Sequence, residues 1–101
     1  KGIFEHYKAI ANGIDIEVVL YNVPSRTNSH ILPDTAIALS KECQNITTVK
    51  EASGDVSKVV EYQSKSNIDI LSGDDAINHP VLATGGKGVI SVTSNLLPKK
   101  I

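Results

Sequence analysis

Tryptophan and methionine are absent from these 101 residues, cysteine occurs once, and aromatic side chains make up only 4%. The lone Cys43 excludes an internal disulfide and supplies no thiolate cluster; it reads as a small buried apolar residue and fits a reducing, cytoplasmic setting. No apolar stretch approaches the ~20 residues of a membrane-spanning helix, and Lys1-Gly2-Ile3-Phe4 does not resemble a secretion signal. A dominant charge is missing too. With a net charge of -1, a pI near 6.3 and scattered lysines, the chain lacks the basic patch that a nucleic acid or an anionic membrane surface requires. His6, His30 and His79 lack metal-ligand spacing, so no metal is expected. The triplet Asn45-Ile46-Thr47 matches a glycosylation sequon but runs into a strand expected to be buried, and is discounted.

What remains is 41% apolar and strongly patterned. Ile3, Tyr7, Ile10 and Ala11 recur at helical spacing and Asn12-Gly13 stops the helix. A strand is expected from Glu17 to Asn22, followed by a turn at Pro24. Pro33-Asp34 then opens a helix burying Ala36, Leu39 and Cys43. A second strand is expected over Ile46–Lys50, then a helix capped by Asp55 with Val56, Val59 and Val60 inward. A third strand is expected over Ile68–Ser72 and a short helix over Ala76–Thr84, with Asp74 and Asp75 capping it. Gly85-Gly86-Lys87-Gly88 lacks Walker spacing and precedes a strand, so it reads as a tight turn into a fourth strand, Val89–Val92. Leu96–Ile101 reads as the start of a further helix.

Helix and strand alternate four times, and the strands read as apolar on both faces, which predicts an α/β fold with parallel strands covered by helices. Four such strands amount to about half of a (β/α)8 barrel, which takes ~250 residues, so residues 1–101 are expected to be part of a larger barrel. The missing initiating methionine points the same way. A small doubly wound sheet is the structural alternative.

In a parallel barrel the functional groups gather at the carboxyl ends of the strands. Tyr21, Lys50, Ser72-Gly73 and Ser91 fall there, and Arg26 follows on the loop after Tyr21. Adjacent strands lie ~4.8 Å apart and side chains alternate, so inward-facing Tyr21 and Lys50 would meet while Glu51 turned toward the helices. A lysine of ordinary pKa, ~10.4, is neutral only about once in a few thousand molecules at pH 7, and only the neutral amine attacks a carbonyl. A dry interior and the lack of an inward carboxylate favour that form. Tyr21 could pass protons, and the Arg26 fork suits a carboxylate. On spacing alone, Lys50 reads more often as a solvated strand-end lysine than as a catalytic one, Tyr21 more often as a packing residue and Arg26 as a surface charge.

Four motifs in order narrow these alternatives: YNVPSRT from Tyr21, VKEASGD from Val49, LSGDD from Leu71 and GGKGVISVTSN from Gly85. Together they closely resemble the dihydrodipicolinate synthase family, within the pyruvate-dependent class I aldolase superfamily that includes N-acetylneuraminate lyase. The resemblance spans essentially the whole chain. It implies a (β/α)8 barrel in which Lys50 forms a Schiff base with pyruvate, Tyr21 relays protons and Arg26 binds the carboxylate of aspartate 4-semialdehyde. Gly73 and Ile90 match positions lining the pyruvate pocket. No cofactor beyond that covalent Schiff base is implied, and the expected assembly is a homotetramer or homodimer.

Two departures stand out. Asn28 occupies the place of the glycine common after SRT, a substitution that asparagine's tolerance of left-handed backbone permits. The family's paired threonines, and the tyrosine lent by a neighbouring subunit, belong to an N-terminal half outside these residues. The 101 residues alone are therefore expected to be inactive. A sister aldolase acting on a sugar acid, and a non-catalytic homologue, are the competing readings; Arg26 argues against the first and the joint presence of Lys50, Tyr21 and Arg26 against the second.

Overall fold

A computed structural model describes residues 1–101. Its elements run α1 (Gly2–Asn12), β1 (Val18–Asn22), α2 (Pro24–Thr27), α3 (Pro33–Glu42), β2 (Ile46–Glu51), α4 (Val56–Lys65), β3 (Asp69–Ser72), a 3₁₀ turn (Asp75–Ile77), α5 (Asn78–Ala83) and β4 (Gly88–Val89). Two 3₁₀ turns, Thr93–Asn95 and Pro98–Lys100, follow. The strands form one parallel sheet in the order β1-β2-β3-β4. A doubly wound sheet reverses its strand order at a switch point; this one does not, and it has the plain succession of a barrel wall.

Helices cover a single face. Leu20, Val49 and Ile70 are fully buried beneath them, as are Ala36 and Leu39 of α3, Val59 and Tyr62 of α4 and Val81 of α5. The other face carries Val19, Tyr21, Thr48, Lys50, Asp69 and Leu71, all partly or fully exposed. The helix side of the strands is thus apolar up to a polar row at its carboxyl end, Asn22, Glu51 and Ser72, and the other side is mixed, which corrects the expectation of two apolar faces. A register irregularity in β2 explains how Ile46 and Val49, three apart, both reach the core: Val18 pairs with Ile46 but Val19 with Thr48. The extra residue shifts the alternation by one.

Several expected details change. Ile10 and Val60 are exposed, at 43% and 51%. In α4 the inward positions are Val59 and Tyr62, because the true stripe runs i, i+3 from Val59 rather than through its neighbour. Pro24 starts a short helix instead of a simple turn, and Asn28 closes it with φ 53°, its amide donating to the Pro24 carbonyl. Strand β4 spans only Gly88–Val89, and the segment after Val92 winds into 3₁₀ turns in place of an α-helix. Asp55 and Asp74 cap as expected, accepting from the amides of Ser57 and Ala76. Gly85 makes the tight turn before β4 with φ 107°, a conformation that side chains oppose.

Candidate active site

Parallel register sets the site. Tyr21 pairs with Lys50, Lys50 with Leu71 and Leu71 with Gly88, one row across the helix-free face at the carboxyl ends of the strands. Lys50 Nζ lies 3.9 Å from the centroid of the Tyr21 ring, within the ~6 Å over which a cation is drawn to an aromatic face. No carboxylate forms an ion pair with Lys50; the ion pairs are Lys8–Glu42, Lys65–Asp34 and Lys65–Glu61. Glu51, next in sequence, turns to the helix side and is fully buried, as alternation requires.

Gly73 shapes the lysine's path. A Cβ there would lie 2.8 Å from Lys50 Cε and 2.9 Å from Ala52 Cβ, closer than carbon atoms pack. Gly73→Ala is therefore expected to displace the lysine stem and destabilise the fold by about 1–3 kcal/mol, as overpacking does. Chemical denaturation checks this, and an unchanged midpoint would mean that the contact relaxes without cost.

Ile90 lies two residues beyond Gly88, so the pleat puts it on the same face; it is 46% exposed, and its amide donates to the Ser72 carbonyl at 2.9 Å. Arg26 sits in α2 with an exposed side chain that makes no hydrogen bond or ion pair, leaving its donors free for an anion. Lys50, Tyr21 and Gly73 are thus in mutual contact through the lysine, while Arg26 and Ile90 share that end of the sheet without touching it through side-chain hydrogen bonds. A groove of 220 Å³ borders Tyr21, Thr27 and Ser29 but does not reach Lys50. The concavity of 460 Å³ lies at the opposite, amino ends of β2 and β3, beside Ile46 and Asp69.

Two features were not foreseen. Asp75 does not cap a helix: its Oδ2 accepts from the Val92 amide, the Thr93 amide and the Thr93 hydroxyl, each at 3.0 Å, and its Oδ1 from Asn78 Nδ2. The Ser91 hydroxyl foremost, then the Thr93 amide, hold its carboxyl well below the usual carboxylate range. Asp75 thereby ties the segment after β4 to the one after β3. The second feature is a row of fully buried polar residues, Asn22, Glu51 and Ser72, paired across β1, β2 and β3 just behind the Tyr21–Lys50 row. Its signal in the sequence was the polar residue directly after each inward-facing one.

The dihydrodipicolinate synthetase family model matches residues 1–101. The 4-hydroxy-tetrahydrodipicolinate synthase of Campylobacter jejuni is 56% identical over 100% of this chain and 34% of its own length, and that of Campylobacter concisus is 53% identical with the same coverage. The crystal structure of dihydrodipicolinate synthase from Aquifex aeolicus superposes with a TM-score of 0.96 at 39% identity, covering 99% of this chain and 35% of that one. The chain thus spans about a third of the length of the relatives it matches.

Proposed function

The chain belongs to the dihydrodipicolinate synthetase family, and from that premise we propose that the protein carrying it is a 4-hydroxy-tetrahydrodipicolinate synthase, a Schiff-base lyase condensing pyruvate with aspartate 4-semialdehyde on the route to diaminopimelate and lysine. The observation that carries this reading is Lys50 Nζ, 3.9 Å over the Tyr21 ring and free of any carboxylate, at the strand ends where barrel enzymes keep their chemistry.

The neutral Lys50 amine adds to the pyruvate ketone carbon; the carbinolamine takes a proton on its hydroxyl and loses water to leave an iminium. Tyr21, whose ring lies against Lys50 Nζ, is the group assigned to pass those protons. Loss of a methyl proton converts the iminium to an enamine, whose carbon attacks the semialdehyde's carbonyl carbon; the iminium re-forms and the former aldehyde oxygen takes up a proton to become the hydroxyl. The semialdehyde's own amine then displaces Lys50 as the ring closes. Gly73 and Ile90 border the pyruvate end. No cofactor takes part; the covalent link through Lys50 does the work. Assembly as a homotetramer or homodimer and a cytoplasmic location belong to the same reading, and no helix of the chain is long and apolar enough to cross a membrane. Since the paired threonines and the partner tyrosine implied by the family are not among residues 1–101, these residues alone are expected to be inactive.

Arg26 carries acceptor choice. In the native protein Arg26→Ala is expected to cost about 2–4 kcal/mol in use of the semialdehyde, the scale of a lost charge-assisted contact, while pyruvate adduct formation persists. Steady-state kinetics with both substrates check it. Unchanged kcat/KM for the semialdehyde would remove Arg26 from the site, and turnover of N-acetylneuraminate instead would favour a sugar-acid aldolase.

A further inference from the structure

Asn22 and Glu51 sit fully buried on the helix side of the sheet, each immediately after a residue of the site, Tyr21 and Lys50. Asn22 Nδ2 donates to Glu51 Oε1 at 2.7 Å, and Asn22 Oδ1 accepts from the Ile31 amide at 3.0 Å. One amide side chain therefore closes the base of the whole 22–31 segment, the segment that holds Arg26. Glu51 in turn fixes which way that amide faces, because its carboxylate takes the donor end and leaves the acceptor end for Ile31. The backbone reinforces the link: the Ala52 amide donates to the Asn22 carbonyl and the Gly73 amide to the Glu51 carbonyl, both at 2.9 Å.

A carboxyl group buried this deeply is costly unless hydrogen bonds or a charge partner offset it, and Glu51 has only the one bond from Asn22. Glu51 Oε2 and the Tyr62 hydroxyl are both buried without a hydrogen-bond partner, one an acceptor and the other a donor. Burial pushes the Tyr62 phenol far above its usual pKa, with the charge of Glu51 adding to the effect, so the hydroxyl keeps its proton. Tyr62 thus presents a permanent donor on the α4 side of the carboxyl group.

We propose that Glu51 is a positioning residue for acceptor binding: through Asn22 it holds the Arg26 segment in fixed relation to the Lys50 strand, without touching substrate itself. This rests on the functional reading above in one respect, that Arg26 meets the acceptor. The clamp itself can be read independently.

The test uses the native protein with Glu51→Gln, Glu51→Ala and Asn22→Ala, alone and combined. Glu51→Gln keeps an oxygen for Asn22 and is expected to behave as the parent. Glu51→Ala frees the amide to turn, so the Ile31 amide should exchange with deuterium faster and the KM for aspartate 4-semialdehyde should rise about tenfold, within the range that a small misplacement costs. Borohydride-trapped pyruvate on Lys50 should form at the parental rate. Asn22→Ala should reproduce both effects, and the double variant should add nothing, the non-additivity of two residues acting as one unit. Unchanged Ile31 exchange in Glu51→Ala and Asn22→Ala would overturn the proposal, as would a KM effect that Glu51→Gln shares or a loss of pyruvate trapping equal to the acceptor defect. If Glu51→Ala does not fold, Asn22→Ala decides by the same readings. Failure of the parent protein to trap pyruvate would instead sink the functional reading, and Ile31 exchange would still decide whether the clamp exists.

Discussion

Replacing Lys50 with arginine is expected to abolish borohydride-trapped pyruvate and to lower turnover by a factor on the order of a thousand or more, since in the proposed reaction the covalent intermediate forms through the Lys50 amine. Arginine is the informative choice. It keeps a cation that can lie over the Tyr21 ring, so the contact at 3.9 Å can survive while the nucleophile is lost, because a guanidinium stays protonated. A folding defect is thereby separated from a chemical one. In the parent protein, peptide mapping after reduction should place the pyruvate mass on Lys50. Lys58 and Lys65 are the discriminating controls, since both belong to α4 on the covered side of the sheet, and Lys65 is already paired with Asp34. An adduct on either, or full turnover by Lys50→Arg, would end the Schiff-base reading.

Much of this site was legible because strand geometry is simple. Alternation puts Tyr21 and Lys50 on one face and Glu51 on the other whatever the details of the helices. The residue before each turn could therefore be assigned a side before any fold was known. Helix caps were equally local: Asp55 and Asp74 each need only the amide two residues on. Legibility failed where the deciding partner was remote. Asp75 follows Asp74 and looks like a second cap, but its acceptors are taken by Val92 and Thr93, 17 and 18 residues away. The Asn22–Glu51 bond spans 29 residues, and neither residue announces the other. Val60 departs from expectation for a different reason: Val59 and Val60 both fit an i, i+3, i+4 stripe from Val56, and the packing of α3 and α5 against α4 leaves Val60 outside it.

Expressed alone, residues 1–101 are expected to associate into dimers or larger species instead of behaving as a cooperative monomer. Only 18 of the 101 residues are buried, which leaves a small core of the kind that gives marginal stability. The helix-free face exposes Val19, Tyr21 and Ile90 at 46%, 44% and 46%, and Val92, Leu96 and Leu97 lie exposed nearby in sequence. Strands β1 and β4 each have one unpaired edge, and an uncovered edge invites another chain. A native barrel wall removes both problems, because its neighbours pair the edges and its far side covers the inner face. A second copy can do part of the same by packing face to face or edge to edge. Sedimentation velocity over a concentration series should therefore show mass rising with concentration, with apolar dye bound to the exposed face. Introducing charge at Val19 or Val92 should weaken that association while leaving the helical signal of α3 and α4 unchanged by circular dichroism. A monomer at all concentrations with a sharp thermal transition would show that the open face is stable in water. The polar members of that face, Thr48, Lys50 and Asp69, would then be sufficient to solvate it, and the need for a surrounding wall would have to rest on catalysis alone.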